Sequence, residues 1–329
     1  MVGVDSGVRG HVSAPGKLML SGEYVVLEGA EALVAAVERR VRATWEPDPA
    51  QQQPAQPLTP EAAAARAYAE RRLGPLPEAL SIDTSALYLG GSKLGLGSSA
   101  ASAVAAAGAV FARHGLSLHD PEVRRQVLEA ALAGHRSIAP LGSGADVVAS
   151  TLGGVVRVRR AEGRPRGEPV AWPAGLEACV VWSGQPASTR ILLERVTRAA
   201  EVAPAEHGRV MDRLGLAAAT FSTAWRRGDH AALLDAVHAH AELLERLGRL
   251  ADCSLMTPAL RIIRTLAVQA GGAAKPSGAG GGDLAVAFFA TRQAAQTFER
   301  GCRERGLQLV CAAPGAPGVS ARSPRAAIG

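Results

Sequence analysis

The amino-acid sequence predicts an α+β protein folded in two lobes, and three observations carry that expectation. Strand-like and helix-like stretches segregate along the chain instead of alternating in βαβ units. A Pro-, Gly- and Arg-rich stretch at 161–175 separates an N-terminal part, 1–170, from a C-terminal part, 171–329. The length of 329 residues is about twice a ~150-residue domain, and 47% hydrophobic with 20% charged residues suffices for a buried core.

The elements follow in order. Residues 8–45 read as strands, RGHVSA, KLMLSGEYVVLEG and EALVAAVERRVRATW, separated by turns at Pro15-Gly16 and Glu28-Gly29. Residues 46–60, rich in Pro and Gln and without periodicity, read as a surface loop. A helix is expected from a Thr59 cap to Leu73. The alternating SIDTSALYL at 81–89 is a strand that feeds into GGSKLGLGSSAASAVAAAGAVFARHG, helical from Ser99 until Gly115 ends it. Asp120 caps a helix over 121–136. Past the break, 176–184 reads as a strand, and helices are expected near 188–201, 205–227, 229–250 and 257–270. Strands return at 284–290 and 307–312 around a further helix, and the final APGAPGVSARSPRAAIG is expected to be largely unpacked.

Composition excludes several classes of function. The longest nearly charge-free apolar stretch, 100–112, has 13 residues, mostly Ala, short of the ~20 that span a bilayer. The first 25 residues carry Asp5, Arg9, Lys17 and Glu23 and no apolar block of a signal peptide. Cys179, Cys253, Cys302 and Cys311 lie far apart without a CxxC pair, so neither a zinc site nor a disulfide framework is expected. Aromatic residues are only 4%, too few for a stacking platform on nucleic acid. The eight histidines form no HExxH pattern and read as solvated or core-edge residues. The expectation is a soluble, cytoplasmic monomer or homodimer that engages neither membrane nor nucleic acid.

The basic residues are more informative. Of the 36, only Lys17, Lys93 and Lys275 are Lys, and each lies in a glycine-bearing segment that contains no Arg. An ammonium is a compact point charge and a guanidinium a wide planar fork; were they interchangeable here, such placement would arise about once in several thousand arrangements. The segments are APGKLMLSGEY (14–24), KLGLGSSAAS (93–102) and KPSGAGGGD (275–283). In the second, small residues between a strand and a helix let backbone approach a ligand, and free N–H groups at the helix start favour an anion such as phosphate. Ser98 and Ser99 can cap that helix and also offer hydroxyls to phosphate or magnesium. Two further segments attract attention: LGSGADVVASTLGG, with Asp146 among small residues, and WSGQPASTR, with Ser188, Thr189 and Arg190. Taken singly, each segment also fits a plainer reading: a capped turn, a flexible loop, a strand–turn–strand, a helix cap.

In this order and spacing the three lysine-bearing segments resemble the motifs of the GHMP small-molecule kinase superfamily. Within it, Lys93 directly ahead of GLGSS, the GSGAD holding Asp146, the PAST of 186–189 and Asp283 closing GAGGGD are most similar to the phosphomevalonate kinase family. Mevalonate kinases usually carry PSGxD where this chain has Gly142-Ser143-Gly144-Ala145-Asp146. The resemblance implies an N-terminal lobe like ribosomal protein S5 domain 2 and a C-terminal ferredoxin-like α/β lobe, with ATP and acceptor meeting in the cleft. It assigns ATP phosphate binding to Gly95, Leu96, Gly97, Ser98, Ser99 and Ala100, with Ser99 the magnesium contact. Lys93, Asp146 and Lys17 take the catalytic positions. The acceptor falls to Lys17, Ser143, Ser188, Thr189 and Arg190, together with Ser277, Gly278, Ala279, Gly280, Gly281 and Asp283 of the third motif, which would close over the transferring group.

The implied reaction moves the γ-phosphoryl of MgATP to the phosphate of 5-phosphomevalonate, giving 5-diphosphomevalonate. The alternative is a hydroxyl acceptor, as in mevalonate kinase. A phosphate monoester has a second pKa of ~6 and is mostly ionised at neutral pH. Lys93 is therefore expected to act through charge, and Asp146 by orienting Lys93, a metal or the acceptor.

Overall fold

The computed structural model describes residues 10–45, 58–161 and 163–322. The Pro/Gln-rich stretch expected as a loop lies almost wholly outside them. The chain opens with a long strand, β1 (Gly10–Ser21), a 3-10 turn (Val25–Glu28) and β2 (Ala32–Trp45). Then come α1 (Pro60–Leu73), β3 (Leu80–Asp83), a short hairpin of β4 (Tyr88–Leu89) and β5 (Ser92–Lys93), and helices α2 (Ser98–Arg113), α3 (Pro121–Ile138) and α4 (Ala145–Leu152). A hairpin of β6 (Val155–Ala161) and β7 (Arg164–Val170) follows, then β8 (Glu177–Trp182). Four helices come next: α5 (Thr189–Val202), α6 (Pro204–Arg227), α7 (His230–Leu250) and α8 (Pro258–Gln269). The chain ends with β9 (Ala273–Pro276), β10 (Leu284–Phe289), α9 (Arg292–Glu304), β11 (Gln308–Leu309) and β12 (Ser320–Arg322).

Two antiparallel sheets organise these elements. The first has the order β12-β1-β2-β6-β7, with β3 also paired to β2; the second has the order β11-β8-β10-β9. Helix α2 sits at the heart of the first lobe because half of its residues are Ala and most of the others are small. Its residues from Ala100 to Phe111 are buried, and their small side chains let β1, α1, α3 and α4 all close on it. In the second lobe, α8 and α9 cover one face of β8, β9 and β10 with Ile263, Phe298 and Cys302, packed on Val181 and Phe289. The caps expected of Thr59 and Asp120 form: Thr59 accepts from the Ala62 N–H, and Asp120 from those of Glu122 and Val123. No helix among the described residues is long and apolar enough to cross a membrane.

Several local expectations are corrected. Pro15-Gly16 is no turn: β1 runs through it, and the register on β2 shifts from Pro15↔Arg40 to Gly16↔Val37. The irregularity accommodates a residue without an N–H, and it aims the Lys17 N–H at the Leu96 carbonyl, 2.8 Å away. The expected strand at YVVLEG is the 3-10 turn, entered through Tyr24 at φ 63°. The stretch at 161–175, read as a break, supplies β7 at the edge of the first sheet. The tail, read as unpacked, returns to the first lobe: β12 pairs with β1, Pro317 bridges to Gly153, and Val319 is buried. A single buried valine and a few backbone bridges leave no hydrophobic period in the sequence, which hid this return. Residues 323–329 lie outside the described residues.

Candidate active site

The site begins with β1. Its alternation buries Leu18 and Leu20 in the core and turns Lys17 and Met19 to the opposite side, where both line a cavity of about 540 Å³ between the lobes. The Lys17 ammonium donates to the Gly95 carbonyl at 3.2 Å. The β4–β5 hairpin ends on Lys93, whose exposed side chain lines the same cavity. Directly beyond it the chain turns through Gly95 and Gly97, both at positive φ, into the first turn of α2.

The N-cap of α2 is Gly97, and no side chain caps the helix. The expected capping role of Ser98 and Ser99 therefore does not arise. Both line the cavity at the amino end of a 16-residue helix, where unpaired N–H groups and the helix dipole favour an anion. This cradle fits a phosphate chain, and the Ser99 hydroxyl can serve as a magnesium ligand. Among the described residues no group of three or more His, Cys, Asp or Glu side chains could hold a metal ion. The oxygens for magnesium would accordingly come mainly from the phosphates themselves.

The facing wall comes from α3, α4 and the loop joining them. Gly144, left-handed at φ 75°, starts α4, so Asp146 lies in its first turn and is not its cap. Asp146 Oδ1 accepts from the Val147 N–H at 2.9 Å, and Oδ2 lies 3.7 Å from Nε2 of His135. His135, buried at the end of α3, belongs to no motif in the sequence. Its spacing from other His, Cys or carboxylates carries no ligand pattern; only the packing of α3 on α4 brings it to Asp146.

From the second lobe, Asp283 closes the glycine run on the second sheet. Its backbone N–H donates to the Gln185 carbonyl, its carbonyl accepts from the Ser183 N–H, and its Oδ1 accepts from the Ala187 N–H. Burial raises the Asp283 carboxyl above its ordinary value, against the pull of the Ala187 N–H, Lys17 and Lys93. Asp283 is packed directly on Gly95. A Cβ at Gly95 would lie 2.5 Å from the Asp283 Cγ, and φ there is 77°. Gly95→Ala is therefore expected to displace Asp283 or the phosphate cradle. Thermal melts with and without ATP should show a destabilised protein whose ATP-induced shift is lost; an unchanged shift would contradict this contact.

Of the residues singled out from the sequence, Lys17, Lys93, Gly95, Leu96, Gly97, Ser98, Ser99, Ser143, Asp146, Thr189, Arg190, Gly278, Ala279 and Asp283 line the cavity together. Ala100, Ser188, Ser277, Gly280 and Gly281 are not in its lining. Ala100 is buried beneath it. The Ser277 hydroxyl accepts from the Met19 N–H. Gly280 packs on protein backbone and Gly281 on the Leu192 side chain instead of facing the cavity. A Cβ at Gly280 would come within 2.5 Å of the Leu255 carbonyl oxygen, to which the Gly281 N–H donates. Arg190 pairs with Glu194 at 2.8 Å, and both line the mouth. Lys275 departs most from expectation: it is buried beneath the loop, bound to Glu23.

Comparison with known proteins finds matches in both lobes. The N terminal domain of GHMP kinases matches residues 62–154, and the GHMP kinases C terminal family matches 221–307. A phosphomevalonate kinase of Streptomyces sp. (strain CL190) is 31% identical over 335 aligned positions, covering 84% of this chain and 88% of the relative. A mevalonate kinase of Aeropyrum pernix is 29% identical, with 91% of each chain covered. Among solved structures, Streptococcus pneumoniae phosphomevalonate kinase in complex with phosphomevalonate and AMPPNP superposes with a TM-score of 0.78 at 21% identity, covering 92% of this chain and 99% of that one. With both domain families matched and a relative 31% identical over 84% of this chain, the chain belongs to the GHMP kinases.

Proposed function

We propose that this protein is a phosphomevalonate kinase, transferring the γ-phosphoryl group of MgATP to the phosphate of 5-phosphomevalonate. The observation that carries the reading is the meeting of three lysine-or-carboxylate elements at one cavity: Lys17 and Lys93 from the first lobe and the half-buried Asp283 of the second. Two polyanions must be brought together in line, and cations with fixed backbone dipoles supply the attraction that overcomes their repulsion. The Streptomyces relative's activity and the GSGAD segment support the phosphate acceptor; the Aeropyrum relative keeps a mevalonate acceptor as the second reading.

In the proposed mechanism the phosphates of ATP lie on the amino end of α2 and the 95–99 turn. Lys93 neutralises charge developing on the transferred group, while Lys17 holds the acceptor phosphate near Gly278. Magnesium, held by Ser99 and the nucleotide, would screen the phosphate charges. The acceptor phosphate is largely ionised at neutral pH, so Asp146 has no proton it must remove; with His135 at its side it orients the acceptor or Lys93. Ser143, Thr189 and Arg190 lie along the cavity where the rest of the acceptor extends. We assign the lobes to 1–170 and 171–329, a division supported by the first sheet ending at Val170, with the tail strand β12 returning across it.

The test is ADP release with MgATP, run in parallel on mevalonate and 5-phosphomevalonate, with product mass recorded. Turnover on 5-phosphomevalonate alone, with the mass gain of one phosphoryl group, is expected. Turnover on mevalonate alone would move the chain to the hydroxyl acceptor and give Asp146 a proton to accept.

A further inference from the structure

The proposed mechanism leaves unused three ionisable side chains buried together under the third glycine segment. Glu23 in the turn just past β1, Lys275 on β9 and His240 on α7 are each 1% exposed. The Lys275 ammonium donates to Glu23 Oε1 and, at 2.9 Å, to the Pro276 carbonyl. His240 Nε2 lies 3.0 Å from Glu23 Oε2. We propose that the Glu23–Lys275 pair, backed by His240, positions the Gly278–Ala279 backbone at the cavity wall; the inference rests on the reading that this wall meets the transferring group.

The pair is poorly explained as a stabiliser, because desolvating two charges consumes most of what their attraction returns, and apolar residues of similar volume often do as well. Its bonds have a direction that apolar residues would lack. Glu23 Oε1 accepts from the Gly278 N–H at 3.3 Å as well as from Lys275, so one carboxylate oxygen fixes both ends of the Pro276–Gly278 step. The neighbouring groups of the first lobe continue the series. The Met19 N–H donates to the Ser277 hydroxyl at 2.9 Å, and the Tyr24 hydroxyl to the Ala279 carbonyl at 2.6 Å. Residues 277–279 are thus held in register by β1 and the turn just past it, of which Glu23 is the charged member. Tyr24 adopts φ 63°, a strained conformation for a non-glycine residue that brings its ring to this loop. The loop so placed stands beside Lys17: a Cβ at Gly278 would lie 3.9 Å from its Nζ.

Two charge-neutral double variants separate positioning from plain stability. E23Q/K275M keeps an oxygen that can accept from the Gly278 N–H; E23L/K275M removes it, and neither leaves an unpaired buried charge. Hydrogen exchange of 277–283 and steady-state kinetics are measured on both, beside their melting temperatures. E23L/K275M is expected to exchange at Gly278 at least about tenfold faster than E23Q/K275M. Its kcat is expected to fall about tenfold further, with the KM for ATP within about threefold. Equal exchange and equal kcat in the two would overturn the proposal. Should the Leu variant fail to fold, the wild-type protein without ligand decides: a Gly278 amide as protected as those of β10 supports the proposal, and one exchanging at the rate of an open loop overturns it. The exchange readout stands even if the acceptor proves different, so failure of the kinase reading and failure of this one are distinguishable.

Discussion

Lys93→Met is expected to lower kcat by about 10²–10³, the scale on which removing one preorganised group that stabilises transition-state charge acts. The KM values for ATP and acceptor should move by no more than about threefold. The expectation follows from where Lys93 stands. It leaves the β4–β5 hairpin exposed at the cavity, close enough to draw on the Asp283 carboxyl, and no hydrogen bond or ion pair among the described contacts engages its ammonium. A methionine of similar length preserves the stem and removes only the charge. An effect confined to the transition state lowers kcat and kcat/KM together. Steady-state kinetics with both substrates varied check it, and a mutant with wild-type kcat would remove Lys93 from the mechanism.

Lys275→Met should act on stability first. The substitution strands Glu23 as an uncompensated buried charge, a change that typically costs about 3–5 kcal/mol. Urea unfolding should show a midpoint well below that of the wild type at neutral pH. The same cluster predicts the acid limit of the protein. Burial alone would raise the Glu23 carboxyl, yet Lys275 and then His240 hold it down at about 2, from 4.5. Its folded pKa is depressed, so its contribution is complete above about pH 4.5 and is lost as the pH falls towards 2. His240 is likewise lowered, by burial, from 6.5. The unfolded chain therefore takes up its proton first, and stability begins to decline once the pH drops below about 6.5. Melting temperatures should fall from pH 7 to 5 and again below 4.5. In E23Q/K275M the second decline should shrink, and an unchanged acid profile would show that other carboxylates govern it.

Loops and ladders explain what the sequence concealed. Lys275 stands in a glycine segment exactly as Lys17 and Lys93 do, and its chemistry looks identical along the chain. The fold separates them. β9 is flanked by β10 and helices α7 and α8, so the Lys275 ammonium meets Glu23 and the Pro276 carbonyl, while Lys17 and Lys93 open on the cavity. The glycine run 278–282 announces close backbone approach, but the partners of Gly280 and Gly281 are the Leu255 carbonyl and the side chain of Leu192, contacts between distant parts of the chain. His135 and Asp146 are eleven positions apart on different helices, a pairing that no helical period or motif spacing encodes.

What the sequence by itself determined is local and chemical. Apolar spacing and cap residues placed most of the helices and the central strands, and the glycine segments with their three lysines pointed to anion binding. Their order identified the GHMP kinase family. Only the tertiary structure decided which of those residues share a cavity. It also decided that the tail closes the first sheet and that a buried carboxylate from the turn after β1 reaches under the third glycine loop. Burial and the partner of a charge depend on what the chain brings from far away, and the free energy of a charged side chain is set by those neighbours more than by its own residue type.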